Sequence, residues 1–142
     1  MRFQSLGRLQ YDPIYPEAAV QALESGLGIR AVLWVDQSLS DYYRSLVPKY
    51  EYVQPQMHKA HITVVRTHKE VPPNMSFWGK YQNEIIPFEY EDGVKKDHIY
   101  YWLSAFSERI AEIRLELGLP IQRDLFKGYH ITIGNLKSEP NR

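Results

Sequence analysis

The sequence predicts a single α+β domain built on antiparallel sheet. Strand-like and helix-like segments interleave along the chain, two of the strand-like segments read as a hairpin, and no linker or low-complexity stretch divides them. At 142 residues the chain can bury one core but not two independent ones, so residues 1–142 are read as one domain. Lys plus Arg and Asp plus Glu are balanced at 17 each, so no net field draws the chain to long nucleic acid or to a membrane surface. The absence of cysteine excludes disulfides, thiolate metal sites and a cysteine nucleophile, and fits a reducing compartment. Residues 1–8 carry no apolar leader and no stretch reaches the length of a membrane span, so a cytoplasmic protein, monomeric or weakly dimeric, is expected.

Taken in order, Phe3 to Tyr11 reads as a strand, Asp12 to Pro16 as a turn and Glu17 to Glu24 as a short helix ending near Gly26 and Gly28. Ala31 to Val35 is an apolar, β-branched run closed by Asp36, hence a mostly buried strand. A helix follows from Ser38 or Ser40 to Val47, with Pro48 as its stop. Ala60 to Arg66 alternates, placing His61, Thr63 and Val65 on one face and Ile62, Val64 and Arg66 on the other. Pro72 and Pro73 make residues 67–80 a loop that carries Phe77 and Trp78. Ile85 to Tyr90 and His98 to Leu103 flank Glu91-Asp92-Gly93 as an antiparallel hairpin. A helical stripe of Phe106, Ile110, Ile113 and Leu117 predicts a helix between Ser104 and Leu117, ended by Gly118 and Pro120. Tyr129 to Gly134 closes the series as a strand with His130 and Thr132 on one face.

The chemistry sits in a repeated motif, His61-Ile62-Thr63-Val64 and His130-Ile131-Thr132-Ile133. The chain has only 5 His, so a His followed two places later by Thr is expected roughly 0.1 times by chance, and a double occurrence points to selection for a site. Positions two apart on a strand share a face, so each motif projects an imidazole and a hydroxyl together while its β-branched residues pack inward. Two imidazoles suit attack at phosphorus: one takes a proton from the nucleophile and the other gives one to the leaving oxygen. The Thr hydroxyls can hold the non-bridging oxygens without adding negative charge.

A metal site of His58, His61 and His130 is the main competitor. A spacing of three puts His58 and His61 on opposite faces of a strand, and no carboxylate falls at a closing position, so no metal and no cofactor is expected. The chain has no Gly-x-Ser-x-Gly turn, phosphate-cradling Gly-rich loop or dinucleotide fingerprint. Aromatic residues make up 13% of the chain, more than a small core needs, and Trp78 with Tyr11 as a second choice are the expected base-stacking residues. Lys59, Arg66, Lys127 and Lys137 lie near the motifs in sequence and are candidates to meet an anion.

The two motifs, 69 residues apart, resemble those of the two-histidine (2H) phosphoesterase superfamily. The resemblance implies a bilobed, pseudo-two-fold fold in which two antiparallel sheets line a central groove, with helices outside. It implies that His61 and His130 are the acid and base and that Thr63 and Thr132 bind phosphate, without metal. Size, motif spacing, the segment from Pro72 to Tyr81 and the ending Tyr129 to Asn135 look most like the phage anti-CBASS phosphodiesterases, which implies cyclic di- or trinucleotide immune signals as substrates in a bacterial host cytoplasm. A superfamily enzyme acting on 2′,3′-cyclic phosphates or tRNA halves, and a non-catalytic sponge for cyclic nucleotides, are the other readings.

Overall fold

The computed structural model describes residues 1–121 and 128–137; Lys127 lies outside the described residues. β1 (Arg2–Asp12) turns Gly7, Leu9 and Tyr11 to the core and Arg8 and Asp12 to solvent. α1 (Pro16–Glu24) starts on a proline, whose missing N–H costs nothing at a helix N-terminus. β2 (Arg30–Trp34) buries Ala31, Val32 and Leu33. Asp36 caps α2 (Gln37–Ser45) by accepting from the Ser38 N–H at 2.9 Å. β3 (His61–Val65) comes next, then a long loop, β4 (Ile85–Glu91), the short β5 (Lys95–Lys96) and β6 (Tyr100–Phe106). α3 (Glu108–Glu116) is capped by Ser107, and β7 (Tyr129–Asn135) completes the order. Among the described residues no helix is long and apolar enough to cross a membrane.

Two local expectations shift. The helix placed from Ser104 begins only at Glu108, because Ser104, Ala105 and Phe106 pair as strand with His130 and Tyr129 on one side and with Tyr90 and Glu89 on the other. Cross-strand pairing on both edges outweighs a helical hydrophobic period. The hairpin is present, yet the chain reverses beyond Glu91-Asp92-Gly93, at Asp97, whose Oδ1 accepts from the N–H groups of Ile99 at 2.8 Å and Tyr100 at 2.6 Å.

The larger correction concerns architecture. The strands form one antiparallel sheet in the order β4-β1-β2-β3-β7-β6-β5, and β4 also pairs with β6, so six strands close into a barrel with β5 as an extra strip on β6. This is not a bilobed fold with two sheets facing across a groove and helices outside. β1 bridges two partners within the barrel: its residues 2–8 pair with β4 and its residues 8–12 with β2, so one strand of 11 residues carries the sheet around the bend. Ala19 of α1, Tyr43 of α2, and Ile110 and Ile113 of α3 join Leu9, Leu33, Ile62, Ile86, Leu103 and Ile131 in one core, so the helices serve a common interior rather than two lobes.

Candidate active site on β3 and β7

β3 and β7 are hydrogen-bonded neighbours with Ile62 opposite Ile131. Both isoleucines are wholly buried, so the antiparallel register sets His61 against Thr132 and Thr63 against His130 on the opposite face of the sheet. The four motif side chains therefore occupy the corners of one quadrilateral, with the imidazoles on one diagonal and the hydroxyls on the other. Diagonal neighbours of an antiparallel pair stand about 7–8 Å apart, room for one tetrahedral phosphate between them. All four residues are half-buried, open enough to meet a ligand and packed enough to hold a rotamer.

Each imidazole is oriented in the same way. His61 Nδ1 lies 2.7 Å from the carbonyl of Lys59, and His130 Nδ1 lies 3.4 Å from the carbonyl of Gly128, in both cases two residues upstream. A carbonyl only accepts, so Nδ1 carries the hydrogen in both rings and proton exchange with a ligand falls to Nε2. A tryptophan stands edge-to-face against each ring: Trp34 at 5.6 Å from His61 and Trp102 at 6.4 Å from His130.

The strands are also braced alike. β2 and β3 slip register between Ala31 and Val32, leaving Val64, the residue after Thr63, as the extra residue of a bulge. β6 and β7 slip between Tyr101 and Trp102, leaving Ile133, the residue after Thr132, in the same position. A bulge withdraws a carbonyl from the ladder, and an arginine takes up each one. Arg114 Nη1 donates to Val64 O at 2.7 Å and Arg44 Nη1 to Ile133 O at 3.1 Å. Arg114 is fully buried and also donates to both carboxylate oxygens of Glu70, at 3.1 and 2.7 Å, and to Pro120 O. Burial raises the Glu70 pKa, but hydrogen bonds from Arg114 and from the Arg66 N–H outweigh it, and the carboxyl is held below its ordinary value.

The motif strands belong to wider cross-strand rows. One runs Arg8, Trp34, His61, Thr132, Trp102, Lys95 from β1 to β5, and the next runs Gln10, Val32, Thr63, His130, Ser104. The two tryptophans are three strand spacings apart, roughly 14 Å measured along the curved sheet. Trp34 Nε1 donates to Gln10 Oε1 at 2.6 Å, which sets the plane of its ring.

The expected stacking residues are elsewhere. Trp78 and Tyr11 are each 1% exposed and pack on one another at 5.1 Å, and Trp78 Nε1 donates to Pro13 O. Neither presents a ring face to a ligand; contrary to the sequence expectation of base stacking, both are core residues. Burial also pushes the Tyr11 hydroxyl far above its usual range. Of the basic candidates, Arg66 turns to Glu70 at 3.6 Å and Lys137 lies over the Tyr100 ring at 4.9 Å, while Lys59 is exposed. Among the described residues no three His, Asp or Glu side chains gather as a metal-holding group, and His58 is exposed. What sequence reading missed was Trp34, Trp102, Ser104 and Lys95. The alternation of a strand puts Trp34 on the face opposite Leu33, but its neighbour across the ladder depends on pairing.

No protein-family model matches the chain, and comparisons with curated proteins and with solved structures give no match.

Proposed function

We propose that the chain is a metal-independent phosphodiesterase that opens cyclic di- or trinucleotides, with His61 and His130 as acid and base and Thr63 and Thr132 as phosphate ligands. The observation that carries the chemistry is the quadrilateral: imidazoles on one diagonal and hydroxyls on the other. A phosphate at its centre has one imidazole on the side of the attacking oxygen and the other on the side of the leaving oxygen, as in-line displacement requires. The Thr hydroxyls then reach the equatorial oxygens, where charge rearranges in the transition state. Shared Nδ1–carbonyl bonding leaves both rings to work through Nε2, and the difference between acid and base is then one of protonation state.

The substrate class rests on the motif resemblance and on two features of the chain: balanced charge, which does not favour long RNA, and Trp34 beside His61 as a ring on which a base can stack. The barrel does not share the architecture of the superfamily that the motifs resemble, so the family likeness rests on the motifs alone. The test is a panel of cyclic di- and trinucleotides, linear RNA and 2′,3′-cyclic ends, each with EDTA present. Cleavage of the cyclic oligonucleotides, lost in the His61→Ala and His130→Ala proteins, supports the proposal. Cleavage of 2′,3′-cyclic ends alone, binding without cleavage, or activity that EDTA abolishes and zinc restores overturns it.

A further inference from the structure

Lys95 and Lys96 are consecutive on β5, so they leave the sheet on opposite faces. Lys96 is neutralised by Glu51 at 2.8 Å. Lys95 is differently placed. Its Nζ lies 2.6 Å from Ser104 Oγ, a neutral hydroxyl, and its carboxylate neighbour Glu91 stands back at 4.0 Å. Ser104 is itself the cross-strand partner of His130, and Lys95 is the partner of Trp102, so the ammonium is held on the motif face one strand beyond the imidazole. The Lys95 side chain is 52% exposed, so its ammonium is tethered at Ser104 and still open to an anion in solution.

We infer that Lys95, positioned by Ser104, is an anion subsite for a second phosphate, the one that is not cleaved while the first lies between His61 and His130. The inference rests on the phosphodiesterase reading and deepens it: it makes the ligand a cyclic dinucleotide or a larger ring, and not a mononucleotide 2′,3′-cyclic phosphate, which has one phosphorus. An ammonium whose near partner is a hydroxyl keeps its charge for an incoming phosphate, whereas Lys96 has already spent its own on Glu51. The same placement gives the site a polarity, with a ring on the β2 side beside His61 and a cation on the β5 side beside His130.

The test compares two substrates that share a 3′–5′ phosphodiester: a cyclic dinucleotide, with two phosphates, and a linear dinucleoside monophosphate, with one. Lys95→Met keeps an apolar stem of similar length and removes the charge, and Lys95→Arg restores it. The expected result is a KM for the cyclic dinucleotide raised by about tenfold in Lys95→Met with kcat little changed, no change for the dinucleoside monophosphate, and recovery in Lys95→Arg. The salt dependence of KM should flatten in Lys95→Met alone. Equal impairment on both substrates, or none on either, overturns the subsite. Should the wild-type protein cleave neither substrate, the phosphodiesterase reading fails, and calorimetric Kd values for the same cyclic dinucleotide still decide the subsite: weaker binding to Lys95→Met supports it and unchanged or undetectable binding overturns it.

Discussion

At the level of single residues, the two faces of β3 and β7 separate the candidate site from the core. His61, Thr63, His130 and Thr132 are half-buried on a sheet whose other face supplies the core, so their replacement should leave the barrel intact. His61→Ala or His130→Ala is expected to lower turnover by at least about 10²-fold, the usual contribution of a positioned acid or base, with thermal unfolding nearly unchanged. Thr63→Val and Thr132→Val keep the branched shape and remove one donor each, for a loss of about 10²-fold in kcat. A variant that loses folding in proportion to activity would show the hydroxyl to be structural. The tryptophans divide in the same way. Trp78→Ala empties a core site and should cost about 3–5 kcal/mol in denaturant titration while the folded protein keeps its substrate affinity. Trp34→Ala should instead weaken substrate binding by about 1–3 kcal/mol, the worth of one base–aromatic stack, read as Kd by calorimetry.

Among the secondary-structure elements, the two motif strands are shaped by the residue after each threonine. A bulge at Val64 and another at Ile133 bend the strands, and each withdrawn carbonyl is met by an arginine from a helix. Arg44→Met leaves the Ile133 carbonyl without that donor, which costs about 1–3 kcal/mol and relaxes β7 beside Thr132. Under the proposed function the expected kinetic signature is a fall in kcat larger than any rise in KM, because the strand would aim the groups assigned to the reacting phosphate. Arg114 is buried, and its carboxylate partner makes the other brace pH-sensitive. Glu70 has a folded pKa below its ordinary value of 4.5, so the unfolded chain takes up its proton first as the pH falls. The pair's contribution is therefore complete above the ordinary glutamate range and is lost as the pH drops through the lowered folded value. Glu70→Gln should be less stable at neutral pH by about 3–5 kcal/mol, since it strands a buried guanidinium, and its stability should fall less steeply with acid than that of the wild type. Parallel acid titrations of the two proteins, followed by circular dichroism, check the difference in slope.

For the molecule as a unit, one closed sheet and one core predict one unfolding transition. Far-UV circular dichroism and the fluorescence of Trp34, Trp78 and Trp102 should report the same midpoint, where two lobes could part in two steps. Packing of the connecting segments against the sheet depends on close approaches that only small residues permit. A Cβ on Gly134 would stand 2.4 Å from Val53 and 2.9 Å from the Gln54 carbonyl, so glycine lets residues 53 and 54 cross β7 and bridge to Asn135. Gly79, at φ +81°, would drive a Cβ to within 1.8 Å of the Ile14 carbonyl.

The order of amino acids settles local matters. Alternation with a period of two places His61 with Thr63 and His130 with Thr132, and composition marks the strands from residues 31, 60, 85 and 129 within a residue or two of where they run. The same local rules cannot say that β3 lies beside β7 with Ile62 opposite Ile131, because pairing and register are contacts between residues far apart in the chain. Nor can they say that β1 divides itself between two partners, or that Ser104 to Phe106 yields helical spacing to strand pairing, since both depend on edges that exist only once the sheet has formed. Trp78 shows the limit most plainly: a proline-rich loop marks a ring as surface, and only the folded chain brings Pro13 and Tyr11 around it. The side-chain chemistry of the site is legible because it is carried two residues at a time. Its assembly into one quadrilateral, flanked by Trp34 and Lys95, is decided by the burial of Ile62 and Ile131, which leaves their neighbours no other face to occupy.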